Sequence, residues 1–248
     1  MRKRFVETKN VKRLVAMVNT LMKRCVGIER LALVYGNPRM GKTEAVIWLI
    51  NHFFTDAVFV RCIKIMSARW LLEELVSSLG LDPAWRAKDL FDQAKDALIG
   101  TDRLVIFDEI DYLTYDARII ETIRDLNDLT GAPFIFIGMH QADRKLKRYP
   151  HLWGRFAQVI HFEPPDREDV TSILTEICEV KIDESIIDAV CETQSLTLSL
   201  IYRWGQKIEG IARSKGLDKV SADDLFNKNQ SRKKNVSKTN NGSIRLSA

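Results

Sequence analysis

The chain has 248 residues, 46% of them apolar and 29% charged, with a net charge of +5. This composition excludes a disordered, collagen-like or disulfide-framework chain, and roughly 70–75% of the unfolded surface can be buried at this length, enough for a large core with a small appendage. No run approaches the roughly 20 apolar residues of a membrane span and no apolar stretch follows the basic Met1–Arg4 as in a secretory signal. Cys25, Cys62, Cys178 and Cys191 lack CxxC spacing and read as reduced thiols of a cytoplasmic protein.

Apolar residues Leu14, Val15, Val18, Leu21 and Met22 predict a helix over Val11 to Cys25. Leu31–Tyr35 is a short apolar run and reads as a buried strand. Thr43–Phe54 predicts an amphipathic helix through Val46, Ile47, Ile50 and Phe53. Val58–Val60 is a second strand. Ser67–Leu79, stopped by Gly80, is a helix with Leu71, Leu72, Leu75 and Val76 inward, and Leu90–Ile99 is another. Leu104–Phe107 is a third strand, Ile119–Leu129 a helix closed by Gly131, Phe134–Ile137 a fourth strand and Val159–Phe162 a fifth. Continuously apolar strands alternating with helices predict a parallel sheet covered on both faces.

The pattern changes at Pro164-Pro165, after which every predicted element is helical. Asp166 caps a helix carrying Val170, Ile173, Leu174 and Ile177. A second helix carries Ile186, Ile187 and Val190, and a third carries Leu200, Ile201, Trp204, Ile208 and Ile211. Ser221 and Asp224 make a capping box for a last turn. The reading divides the chain into a basic helical segment (1–30), an α/β unit (31–165), a helical unit (166–226) and a disordered basic tail (227–248). Charge is concentrated at the ends: eight Lys/Arg against Glu7 in residues 1–24, six and no acid in 228–248, and a net −8 between them. Basic ends suit a polyanionic partner; solubility explains them as well.

The strongest motif is Gly36-Asn37-Pro38-Arg39-Met40-Gly41-Lys42-Thr43, a complete G-x-x-x-x-G-K-T loop between a predicted strand and a predicted helix. Glycines let successive amides face one anion, and the helix N-terminus adds partial positive charge. Lys42 is expected on the β- and γ-phosphates of ATP and Thr43 on Mg2+, and Glu44 is counted with the loop among the nucleotide-binding residues. Asp108 and Glu109 end the third strand: Asp108 is expected to hold the magnesium shell and Glu109 to polarise the attacking water. Adjacent strand residues face opposite ways, so the two acids converge only if the strand end is irregular. Gly154-Arg155-Phe156 places Arg155 just before the fifth strand. His52, His151 and His161 show no metal-ligand spacing.

Together GNPRMGKT, LVIFDEID, the apolar fourth strand, GRF and the helical C-terminal part resemble the AAA+ ATPase superfamily over residues 31–226. The resemblance implies an α/β P-loop NTPase with a five-stranded parallel sheet of order 5-1-4-3-2, a C-terminal helical lid, ring or helical oligomers, and Arg155 acting in trans on a neighbour's ATP. Phe5-Val6-Glu7-Thr8, Ser67 with Leu71-Leu72, and Asp108-Glu109-Ile110-Asp111-Tyr112-Leu113 resemble the phage Mu B transposition proteins and their TnsC-like relatives. That resemblance implies filaments on double-stranded DNA, ATP as the assembly switch, and delivery of target DNA to a transposase. The helix-turn-helix domain of phage Mu B is not evident, so the chain reads as the family's minimal ATPase core.

Two stretches depart from the AAA+ pattern. Where a polar residue ends the fourth strand, this chain has Gly138-Met139-His140-Gln141, so His140 or Gln141 would substitute. The lid stretch Ser195–Leu198 has no arginine, and Arg203 lies six residues beyond Thr197. Both departures suggest slow hydrolysis. Arg61, Lys64 and Arg69 flank the second strand and its following helix, a region that in the family faces the inside of the helix or ring, which makes them candidate DNA contacts; they read equally as surface charges. Arg144, Lys145, Lys147 and Arg148 form a denser run before Arg155 that suits DNA and a subunit interface equally. The alternatives are a helicase- or clamp-loader-type ATPase and an ATP-gated signalling or defence module that does not bind DNA.

Overall fold

Side chains of a parallel strand alternate between two faces, so a sheet that is apolar throughout needs helices on both. The computed structural model, which describes residues 1–24 and 29–226, shows this sorting. Its elements, in chain order, are α1 (Lys9–Met22), β1 (Leu31–Gly36), α2 (Lys42–Phe53), β2 (Val58–Arg61), α3 (Ala68–Ser78), α4 (Ala87–Leu98), β3 (Val105–Asp108), a 3-10 turn (Ile110–Tyr112), α5 (Ala117–Thr130), β4 (Phe134–Met139), α6 (Ala142–Leu146), α7 (Pro150–Trp153) and β5 (Phe156–Phe162). The strands are parallel, in the order β2-β3-β4-β1-β5. This is the expected 5-1-4-3-2 sheet.

Leu31, Leu33, Val105, Phe107, Phe134 and Phe136 face α3, α4 and α5 in one core. Their alternates Ala32, Val34, Ile106, Ile135 and Ile137 face α1 and α2 in another. The helix starts follow from capping chemistry. Ser67 accepts from the amide of Trp70 at the start of α3, and Asp116 accepts from Arg118 at the start of α5.

Two compact units are formed, one by Glu7–Pro165 and one by Met1–Val6 with the chain from Asp166. The second contains α8 (Arg167–Ile177), β6 (Lys181–Ile182), α9 (Glu184–Cys191), α10 (Leu198–Lys215), β7 (Lys219–Val220) and α11 (Ala222–Phe226). Asp166 caps α8 through the amide of Asp169, and Ser221 donates its amide to the Asp224 carboxylate at 3.1 Å. Gly205 of α10 lies where a side chain would meet Ile177 Cδ1 at 2.8 Å, so the glycine is what lets α10 close on α8. The Arg2 amide donates to Ile177 O, and the Met1 ammonium bonds Glu179 at 2.6 Å.

The structure differs from the sequence reading at several elements. α1 runs from Lys9 to Met22; Cys25 and the tail 227–248 lie outside the described residues. Residues 1–6, which the sequence groups with α1, form no helix or strand and cluster with the second unit. In α2 the buried residues are Ala45, Val46 and Leu49, while Ile47 and Phe53 are exposed. The cause is Lys42: its side chain points inward, and positions three, four and seven residues on share its face. The second unit is not wholly helical, because β6 and β7 pair in parallel. α6 and α7 were missed because five and four residues are too few for periodicity to register. Among the described residues no helix is long and apolar enough to cross a membrane.

Candidate nucleotide site

β1 stops at Gly36 because β5 leaves no room for a side chain there: a Cβ would lie 2.7 Å from Phe162 O. The loop then curls through left-handed backbone at Arg39 (φ 64°) and Gly41 (φ 77°), the latter immediately before α2. Alternating backbone of this kind turns amides toward one centre and makes an anion nest. Asn37, Pro38 and Arg39 are exposed, Met40 anchors the loop in the α1–α2 core, and Glu44 is exposed in the first turn of α2. Lys42 folds back into the loop and donates from Nζ to Gly36 O at 2.9 Å and Asn37 O at 2.8 Å. Burial pulls the Lys42 pKa below the ordinary lysine range, and the charges of Asp108, Asp111 and Glu44 oppose that shift. A buried ammonium held only by carbonyls is poised to exchange them for phosphate oxygens.

The parallel register places β3 so that Asp108, 2% exposed, meets the start of α2. Thr43 Oγ1 donates to Asp108 Oδ2 at 2.9 Å, and Oδ1 accepts the Glu109 amide at 2.9 Å. Burial raises the Asp108 pKa, and these two hydrogen bonds and Arg61 lower it. The hydroxyl and carboxylate are hard oxygen donors at one point, which fits Mg2+ that draws most of its shell from water and phosphate. Glu109 has left-handed backbone (φ 58°, ψ 38°), the irregular strand end that adjacent acids require. Its carboxylate is bound by Arg61 at the end of β2, Nη2 to Oε1 at 3.0 Å and Nε to Oε2 at 3.4 Å. Arg61 is thus engaged at the phosphate-loop end of the sheet. Arg69 bonds Glu73 and Trp85 O and lies over the Trp85 ring at 5.4 Å, while Lys64 is exposed.

His140 and Gln141 are exposed beyond β4, the His140 ring 5.9 Å from His161. The polar contact at this strand end is instead made by Asp111, which accepts the Met139 amide. Sequence reading quoted Asp111 only within a motif and gave it no role; its spacing of three from Asp108 was the available signal. Arg203 is exposed on α10.

Arg155 stands elsewhere. β1 and β5 run in parallel from Leu31 beside Phe156 to Gly36 beside Phe162, so Arg155 lies at the end of the strands opposite to the loop, a separation of about 20 Å at the rise of a strand. Its guanidinium is paired with Asp128, Nε–Oδ1 2.7 Å and Nη2–Oδ2 2.9 Å. Both residues line a cleft of about 580 Å³, together with Ile99 and Leu129.

Comparison with known proteins accords with this geometry. The AAA domain profile matches residues 28–146. The "ATP-dependent target DNA activator B" proteins of Escherichia phages D108 and Mu are each 30% identical over 186 residues, 68% of this chain and 55% of theirs. The chain therefore spans about half the length of the curated relatives it matches. The solved ORC2 protein of Aeropyrum pernix superposes with a TM-score of 0.68 at 15% identity, covering 91% of this chain and 69% of that one, a likeness of fold. Sheet order, phosphate loop and sequence similarity agree: the chain carries an AAA-type P-loop ATPase domain and is similar to the target DNA activator B proteins of phages D108 and Mu.

Proposed function

We propose that this protein is an ATP-driven assembly factor that oligomerises on double-stranded DNA and delivers target DNA to a transposase in a bacterial or phage-infected cytoplasm. The parallel register supports the assembly: Arg155 precedes β5 at the end where β1 begins, while the phosphate loop follows β1 at the other end, about 20 Å away at the rise of a strand, so a role for Arg155 at ATP calls for the loop of a second copy. The names of the relatives supply the target-DNA role, and the basic ends supply a counter-charge for phosphate.

Phosphoryl transfer is mainly positioning and charge stabilisation. Magnesium held by Thr43 and Asp108 would neutralise the β- and γ-phosphate oxygens. The loop amides of residues 36–41 hold the phosphate chain, and Lys42 trades its two carbonyl partners for phosphate oxygens. Glu109, released from Arg61, orients a water for in-line attack and takes up its proton. Arg155 of the adjoining copy, released from Asp128, meets the charge that develops on the γ-phosphate. Hydrolysis removes that contact and loosens the assembly.

The test is fluorescence anisotropy on duplex DNA at fixed salt with ATP, ADP or no nucleotide. Cooperative binding with ATP alone, lost in Lys42→Ala, is expected. Equal binding in all three states would reduce the basic ends to non-specific attraction, and no binding in any state would favour a loader or signalling role.

A further inference from the structure

Asp111 is a buried carboxylate for which the reaction above has no task. It lies in the 3-10 turn, with its side chain 6% exposed. Oδ2 accepts the amide of Met139, while Oδ1 is buried and has no hydrogen-bond partner. Lys145 Nζ of α6 stands 3.6 Å from that oxygen, too far for an N–H···O bond. Interiors rarely leave a carboxylate oxygen in this condition.

The position is informative. The sheet register sets Met139 beside Gly36, whose carbonyl accepts from Lys42. Asp111 therefore grips the strand end at the lip of the phosphate loop, and its charge is felt by Lys42. α6 packs on β1, β4 and the 3-10 turn, which brings Lys145 to the same lip. The joint is tight: a Cβ on Gly138 would lie 2.9 Å from Asp111 Oδ2 and 2.3 Å from Ala142 Cβ. A carboxylate this close to a triphosphate repels it unless a cation is interposed. Lys145 is the cation nearest the unbonded oxygen, and its ammonium is partly solvated on a flexible stem. Lys147 in the same basic run is committed differently, since it pairs with Asp143 and lies over the Trp153 ring at 4.9 Å. The run is thus not one patch.

We propose that Lys145 is a further catalytic residue that contacts the γ-phosphate of ATP, and that Asp111 is its positioning residue. With ATP bound, Nζ bridges Asp111 Oδ1 and a γ-phosphate oxygen; with ADP it stays with Asp111. A cation supplied from α6 thereby stands in for the polar side chain that Met139 does not provide. This rests on the nucleotide reading of the site above and adds to it the residue that distinguishes ATP from ADP.

The test titrates fluorescent ADP and a fluorescent non-hydrolysable ATP analogue, with Mg2+, into the full chain and its variants. Lys145→Ala is expected to weaken the ATP analogue about tenfold, with ADP within about twofold and a lower kcat, and Lys145→Arg to restore part of both. Asp111→Asn, which keeps an acceptor for the Met139 amide, weakens the ATP analogue less, and its effect disappears in the Lys145→Ala background. Equal loss of both nucleotides, or a lowered melting temperature with both affinities unchanged, overturns the proposal. Lys42→Ala separates the two levels. If it abolishes both affinities while Lys145→Ala is not selective, this proposal alone falls. If it binds both nucleotides as the parent chain does, the nucleotide reading falls and takes the proposal with it.

Discussion

Arg155 and Asp128 form a two-point ion pair at the edge of the sheet where the strands begin, with both guanidinium–carboxylate distances under 3 Å. The Asp128 bond is the first cause holding the Arg155 pKa above its ordinary value. Two-point pairs fix orientation as well as charge, so Asp128 holds the arginine in one place until a competing anion takes it. Arg155→Ala is expected to lower ATP turnover about 100-fold or more while leaving nucleotide affinity near that of the parent. Mixing Arg155→Ala with Lys42→Ala subunits should regain activity, because one supplies an intact loop and the other an intact arginine. Steady-state hydrolysis across mixing ratios checks this, and strictly additive rates would refute action in trans.

The Arg61–Glu109 pair makes a different prediction. Arg61 is largely exposed, and exposed pairs are worth about 0.2–1 kcal/mol. Freeing Glu109 by Arg61→Ala should therefore raise basal hydrolysis, by no more than about fivefold. DNA-free turnover measured at saturating ATP decides it. A fall in rate would mean that Arg61 itself supports the reaction.

Gly36 has no space for a side chain against Phe162 O. Gly36→Ala must push β5 away from β1 or distort the loop, and overpacking of this kind costs about 1–3 kcal/mol. Denaturant titration should show that loss together with weakened ATP binding. Unchanged stability would show that the two strands separate freely.

In the second unit Asp183 caps α9 through the Ser185 amide and binds Lys219 at 2.5 Å. The Lys219 bond, with help from Ser185, lowers its pKa to about 2. A depressed carboxylate pKa contributes stability that is complete above the unfolded value of 3.8 and is lost as pH falls from there toward 2. Melting temperatures of the parent and of Asp183→Asn should therefore differ at pH 6 and converge near pH 2. A constant difference across that range would assign the effect to packing.

Local chemistry explains why much of this was legible in the sequence. A loop such as Gly36–Thr43 is encoded by adjacent residues, and apolar runs such as Phe134–Ile137 announce buried parallel strands. Those signals fixed the sheet order through family resemblance and placed Lys42, Thr43 and Asp108 together. The rotation of α2 was not legible: it depends on where Lys42 points, so Ile47 and Phe53 were misassigned to the core. Two-residue strands such as β6 and β7 have no period to detect.

The sequence by itself determined that this chain has a phosphate-binding loop, a strand delivering Asp108, and a parallel α/β sheet followed by a smaller unit. Only the tertiary structure decided the partners of the charged groups: Arg61 with Glu109 across 48 positions, Arg155 with Asp128 across 27, and Asp111 with Met139 across 28. The physical reason is the crossover connection. Each parallel strand starts again from the same end of the sheet only after a crossover, so residues far apart in the chain arrive side by side, and no local pattern records which of them will meet.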